Sequence, residues 1–232
     1  SLHVNSEDDR FVVSGYTPHV GLFDLATGTR IEDMMDCHAE HINVIKFAHH
    51  SPHTLVTSSF DMYIKKWDLR EARPGGARRP IFERRSNEGN VMVCFSPDDQ
   101  YLLVSAVDNE VRQYRAGDGR LDRLFDIPKT HDRTNYTRSY YMNGRDYIIT
   151  GSCREDVVRV YNSRTGQLLR EVEMDSDRSA MVFVQSLRSN PHRDFNLSVL
   201  LACNDTGSNE ISIANRQMLA NVDLLTRTSS EF

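Results

Sequence analysis

The sequence predicts an all-β fold, a β-propeller of about five four-stranded blades. Three observations carry this expectation. Short runs rich in Val, Ile, Leu, Tyr and Phe are bounded by Gly, Asp, Asn, Ser and Pro, which is the pattern of strands separated by turns. Segments ending at Asp24, Asp68, Arg115, Asn162 and Asn215 stand 44, 47, 47 and 53 residues apart, close to the ~40–45 residues of a four-stranded blade. Convincing amphipathic helix periodicity is absent. One blade cannot bury both of its faces, so blades must stack.

Each repeat opens on a first strand: Leu2 to Asn5, Ile42 to Phe47, Val91 to Phe95, Tyr140 to Met142, and Met181 to Gln185. The second strands begin at Phe11, Thr54, Tyr101, Tyr147 and Ser198. The third are the periodic segments themselves, VGLFD, YIKKWD, VRQYR, VRVYN and the weaker ISIAN. A fourth follows turns such as Ala26-Thr27-Gly28, Gly117-Asp118-Gly119 and Thr165-Gly166. The repeats run over about 1–36, 37–79, 80–126, 127–172 and 173–232, as a single domain. Propellers hold four to eight blades, commonly about seven. The chain opens on Ser1 instead of Met, so the five blades are expected to be part of a larger, seven-bladed ring, with the weaker fifth repeat as an edge blade.

Composition narrows the function. The formal net charge of −5 is mild and argues against a global nucleic-acid binder. No apolar run approaches the roughly 20 residues of a membrane helix, and the start of the chain carries no basic-then-apolar signal. Cys37, Cys94, Cys153 and Cys203 are far apart with no C-x-x-C pair, which argues against a zinc site and a disulfide-stapled secreted domain. Nucleus or cytoplasm is the expected compartment.

The second repeat, from Cys37 to Arg70, reads CHAEHINVIKFAHHSPHTLVTSSFDMYIKKWDLR. It resembles the WD-repeat (β-transducin) family. His38 matches the Gly-His position of that family, Thr57 lies in the second strand, Asp61 in the tight turn, and Trp67-Asp68 closes the third strand. The resemblance implies that His38, Thr57, Asp61 and Trp67 form a hydrogen-bonded chain. A buried carboxylate needs donors, and a buried indole N–H needs an acceptor. A histidine, a carboxylate and a hydroxyl also occur in hydrolases, but those need an exposed nucleophile and an oxyanion hole. No catalytic residues and no cofactor are expected. The third repeat departs from the pattern, with Asn87 in the His place, Val104 for Ser/Thr, Asp108 in the turn and Tyr114 for Trp. The fourth has Glu155-Asp156 and Tyr161, and the first has Phe23-Asp24.

Leu55 to Arg70 ends in Trp-Asp-Leu-Arg. This is similar to the WDxR, or DWD, box of plant transducin-like substrate receptors of cullin-4 ubiquitin ligases. There the box helps dock the propeller onto the damaged-DNA-binding adaptor subunit. The resemblance implies docking through Trp67, Asp68 and Arg70, with that adaptor and an unknown substrate protein as partners. Arginine suits the role because its planar fork pairs with carboxylates and carbonyls. The alternative is a general scaffold, or a chromatin- or nucleic-acid-associated propeller without ligase linkage. The segment from Lys65 to Arg85 is basic and contains a flexible Gly-rich stretch, so Arg73, Arg78 and Arg79 are candidates for contacting an acidic partner or phosphate.

Strand alternation assigns ends. Turns after second strands share one end with the interblade linkers, giving Asp61, Asp108, Asp156, His38 and His41. Turns after first and third strands share the other, giving Arg70, the Gly75-Gly76 loop, His49, His50, His53, Asp98 and Asp99. The histidines therefore divide between both ends, and no metal site is expected.

Overall fold

Alternation along each strand decides which residues the sheets bury. In Ile42–Phe47 the buried positions are Ile42, Ile45 and Phe47, while Thr54–Ser59 is buried from Leu55 onward on both of its faces. A strand buried on both faces must be central, with another layer on each side. The computed structural model describes residues 1–71 and 78–173, and beyond these the backbone of residues 182–189, 198–205 and 211–217. Its elements are strands throughout, with no helix among the described residues.

The first sheet holds β1 (Leu2–Val4), β2 (Arg10–Val13), β3 (Val20–Asp24) and β4 (Arg30–Met34), in that spatial order. The second holds β5 (Ile42–Phe47), β6 (Thr54–Ser59), β7 (Tyr63–Asp68) and β8 (Phe82–Arg85). The third holds β9 (Asn90–Phe95), β10 (Tyr101–Ala106), β11 (Val111–Arg115) and β12 (Leu121–Phe125). The fourth holds β13 (Thr137–Met142), β14 (Tyr147–Ser152), β15 (Val157–Asn162) and β16 (Leu168–Glu173). A three-stranded sheet follows, with β17 (Val182–Ser189), β18 (Ser198–Asp205) and β19 (Ile211–Gln217). All resolved pairings are antiparallel meanders, such as Leu55 opposite Trp67 and Leu102 opposite Tyr114. This is the β-propeller blade that the repeat predicts.

Two boundaries differ from expectation. The second sheet is completed by β8, which lies beyond residue 79 because the connection from β7 is long and the fourth strand comes late. The fourth sheet begins at Thr137, ahead of Tyr140. Its first residues are polar, so they carry no apolar signal, yet Thr137 and Ser139 are buried. Thr137 is satisfied there by the Asn109 amide, at 2.9 Å. Where third and fourth strands are joined tightly, Gly28 and Gly119 supply the turn with φ of 68° and 69°, a region that side chains disfavour.

Residues 1–139 form one compact unit and residues 140–232 another. Within the first, Val12, Val20, Leu22 and Met34 pack against Ile45, Phe47, Leu55 and Trp67. On the far side of the second sheet, Val56, Ile64 and Phe82 pack against Val93, Phe95, Leu102 and Tyr114. These two interfaces hold the loop ends described next. In the second unit, β14 is buried from Ile148 onward and β15 from Val158 to Tyr161, so both are central strands covered on both faces.

Candidate functional site

The four residues expected to bond do so, in one direction. Trp67 Nε1 donates to Thr57 Oγ1 at 3.0 Å. Thr57 Oγ1 lies 2.7 Å from His38 Nε2, and His38 Nδ1 lies 2.8 Å from Asp61 Oδ2. A carboxylate only accepts, so Nδ1 carries a proton, and in the neutral ring Nε2 then accepts the threonine O–H. Asp61 also accepts the amides of Ala39 and Tyr63, at 3.0 and 2.9 Å. Burial pushes the Asp61 carboxyl up, but the bonds from His38 and the two amides more than offset it and hold it below the usual range. The chain joins the linker before β5 to β6, the β6–β7 turn and β7. Thr57 and His38 are buried, which makes this a structural element.

Other repeats reach similar ends by other means. The counterpart of His38 in the third repeat is Ser86, not Asn87. Ser86 N–H bonds the Met62 carbonyl as His38 N–H bonds that of Pro18, and β9 begins one residue earlier than its apolar run. Glu110 supplies the acceptor for the Asn87 amide, at 3.0 Å. Asp108 turns to the following linker and accepts from Thr130 and His131.

At the opposite end stands the Trp-Asp-Leu-Arg box. Asp68 Oδ1 accepts the Arg70 backbone amide at 2.9 Å and Nε at 3.0 Å, while Oδ2 accepts Nη2 at 2.7 Å. The Arg70 bond holds the Asp68 carboxyl at about 2. The Arg70 side chain is 68% exposed all the same. Asp24 and Asn162 occupy the same place in other repeats and cap their turns through Thr27 and through the Arg164 and Thr165 amides. Among the described residues, only in the second repeat does this capping residue also orient an arginine. Trp67 is 2% exposed, so its place in the docking set is corrected: a buried indole has no surface to offer, and the accessible part of the box is Asp68 and Arg70.

The basic segment is also corrected. Arg78, expected on an exposed loop, is 7% exposed, with its fork on Glu32 at 2.6 and 2.8 Å and Nη1 on the Leu69 carbonyl at 2.8 Å. Lys66 donates to the Ala116 carbonyl, and Arg84 to those of Gly119 and Asp118. These cations fasten strands together. Arg79 is exposed. Arg73 and the Gly75-Gly76 loop lie outside the described residues.

The histidines divide between ends as strand alternation requires. Near the box, Asp99 Oδ1 meets His49 Nδ1 and its amide at 2.9 Å, and Oδ2 meets the His50 amide at 2.7 Å and ring at 3.2 Å. Burial pushes this carboxyl up, yet the His49 ring and both amides prevail and hold it at about 2. A folded-state value below the unfolded one contributes stability above about pH 4 that is lost as pH falls through about 2. Asp99→Asn is expected to cost on the order of 1 kcal/mol at neutral pH, allowing for solvent screening, and asparagine tolerates the positive φ there. Urea unfolding from pH 7 to pH 3 should show the gap between variant and parent closing toward acid. A gap independent of pH would show that the carboxylate charge is not what holds these loops.

One feature escaped the sequence. On the linker end, the rings of Tyr16, His41, Phe60 and Tyr136 form a row with centroids 5.7, 4.8 and 5.9 Å apart. They come from two turns and two linkers with no common spacing, so no local signal marks them.

Comparisons with known proteins agree with this architecture. The family described as WD domain, G-beta repeat matches residues 30–68 and 79–115. Each match takes the last strand of one sheet and the first three of the next, so the sequence repeat is offset from the sheet by one strand. Protein DWD HYPERSENSITIVE TO UV-B 1 of Arabidopsis thaliana is 54% identical over 204 residues, 87% of this chain and 26% of that protein. A ribosome biogenesis protein WDR12 homolog of Culex quinquefasciatus is 24% identical over 89 residues, 38% of this chain and 20% of that protein. The chain thus spans about a quarter or less of these relatives. The β-propeller domain of Myceliophteria thermophila Cps50 (Swd1) superposes with a TM-score of 0.67 at 13% identity, covering 95% of this chain and 72% of that one. That likeness is one of fold.

Proposed function

We propose that this chain, which carries WD repeats over residues 30–68 and 79–115, is a non-catalytic substrate receptor of a cullin-4 RING ubiquitin ligase. Its docking element is Arg70, with Asp68 as the residue that orients it. The observation that carries this reading is the Asp68–Arg70 pair, a guanidinium held by a carboxylate yet largely in solvent. Such an arginine has lost much of its conformational freedom before it meets a partner, which lowers the entropic cost of binding. The high identity to an Arabidopsis protein named for DWD supports the same reading. The role needs no chemistry from the chain itself. A receptor contributes by holding its target near a ubiquitin-charged enzyme. The proposed site of action is the nucleus or cytoplasm.

The scaffold that reaches nucleic acid through its basic segment is less well supported, because Lys66, Arg78 and Arg84 are engaged within the protein. Affinity purification of the full-length protein, with its partners identified, tests the two readings. Recovery of the cullin-4 adaptor and cullin is the expected result. Recovery of neither, with strong salt-sensitive binding to DNA or RNA, would replace the receptor reading with the nucleic-acid one.

A further inference from the structure

We propose that the row of rings at the linker end of the first three sheets is a docking platform for an extended peptide segment carrying arginine or lysine. Tyr16 stands 96% exposed, in the β2–β3 turn. His41 follows in the linker to the second sheet, Phe60 in the β6–β7 turn, and Tyr136 at the start of the fourth sheet. The row is built, not incidental. Phe60 lies across Gly89, where a Cβ would come within 2.5 Å of the ring, so the backbone of that linker forms its seat. The His41 ring meets Phe60 edge-on at 68°, and the Phe60–Tyr136 pair is tilted at 57°.

Charge names the occupant. Residues 14–19, 35–41, 60–62, 86–89 and 107–110 make up the turns and linkers at this end before residue 126. They contain six carboxylates and no lysine or arginine. Asp61 and Glu110 are buried on His38 and Arg112, and Asp108 accepts from Thr130 and His131, which leaves Asp36, Glu40 and Glu88 to face a ligand. Asp36 and Glu40 are exposed beside the first half of the row, and Glu88 is half-buried beside Phe60. Cations appear toward the far end, with Arg85 at the close of β8 and Lys129 and Arg133 in the linker before Tyr136. The acidic part of the platform is therefore the stretch from Tyr16 to Phe60. Aromatic faces attract guanidinium and ammonium groups, and flanking carboxylates add to that attraction. Side chains on one side of an extended peptide recur about every 6.6 Å, near the ring spacing here. A segment with a cation at every second residue fits the row.

The inference rests on the receptor reading only in making the captured segment that of a substrate; the binding itself is independent of the adaptor. The test is a fluorescence-anisotropy titration of the full chain with a labelled peptide of about ten residues, alternating arginine and glycine. Peptides with glutamine or glutamate in place of arginine serve as comparison. The arginine peptide should bind, and the other two should bind at least about tenfold more weakly. Tyr16→Ala should weaken binding about threefold, in line with an exposed cation–π contact. Glu40→Gln should weaken it by a similar factor, and the double variant about tenfold. Both side chains are exposed, so folding is not at stake. Glu7→Gln, which removes the same charge at the opposite end, should leave binding unchanged. Equal loss from Glu7→Gln and Glu40→Gln would mean diffuse electrostatics and overturn the platform, as would a Tyr16→Ala variant of unchanged affinity. Failure of the arginine peptide to bind, or equal binding of the glutamate peptide, would overturn the assigned occupant. None of these outcomes depends on adaptor capture, which is read from Arg70 alone.

Discussion

Trp67→Ala is expected to destabilise the protein by about 3–5 kcal/mol, the range for truncating a large buried side chain. Two losses combine. The indole packs in the core between the first and second sheets with Leu22, Phe47 and Leu55, and its removal leaves a cavity that sheets on both sides can only partly close. Its N–H is also the first donor in the chain that runs through Thr57 and His38 to Asp61. Trp67→Phe separates the two effects. It keeps much of the volume and loses only the donor, so it should cost about 1–2 kcal/mol. Phe23, Tyr114 and Tyr161 stand at the corresponding place in other repeats, and the last two are as well buried as Trp67, so a smaller ring suits the site. Urea unfolding followed by circular dichroism gives both values without depending on the tryptophan signal. A cost below about 1 kcal/mol for alanine would mean that the two sheets do not rely on this side chain.

Arg70→Ala is expected to leave the melting temperature nearly unchanged and to weaken capture of the cullin-4 adaptor roughly thirtyfold, the size of a hot-spot loss. Exposed side chains away from special contacts contribute little to folding, and the bond to Asp68 spans two residues at the surface. Lysine should rescue only in part, since it lacks the planar fork. Asp68→Asn is the informative companion. It can keep the turn, as Asn162 does in the fourth repeat, but it loses the charge that orients the guanidinium. It should therefore fall between wild type and Arg70→Ala in adaptor capture. If Arg70→Ala stays folded and captures the adaptor at full strength, the box is only the end of a repeat and the scaffold reading takes precedence. If the variant unfolds, the arginine is structural and the docking proposal loses its carrier.

The same two residues show how far local sequence reaches. Trp67 and its partners were legible because they match fixed places of the WD-repeat family, and a repeat whose strands alternate every two residues tells which of its side chains face inward. Arg70 was legible as a position, though not as a geometry: nothing in Trp-Asp-Leu-Arg says that the aspartate takes both the amide and the side chain of the arginine. Arg78 was misread. Its neighbours, Gly75, Gly76, Arg79 and Pro80, describe a surface loop, and the residue that buries it, Glu32, lies in the strand β4 of the preceding sheet.

By itself the sequence determined the strands, their antiparallel order within each sheet and the end to which each turn belongs, while the hydrogen-bonded chain of the second repeat was implied by its resemblance to the WD-repeat family. The rest needed no resemblance and follows from short-range rules: two-residue alternation, turn-forming residues and a period near 45. Only the tertiary structure decided which loops meet. It brought His49 and His50 onto Asp99, Arg78 onto Glu32, and Tyr16, His41, Phe60 and Tyr136 into one row. The partners in each case sit on different sheets, joined by turns and linkers of unequal length. Their approach depends on how neighbouring sheets stack through Trp67, Phe47 and Phe82, and stacking of that kind leaves no periodic trace along the chain.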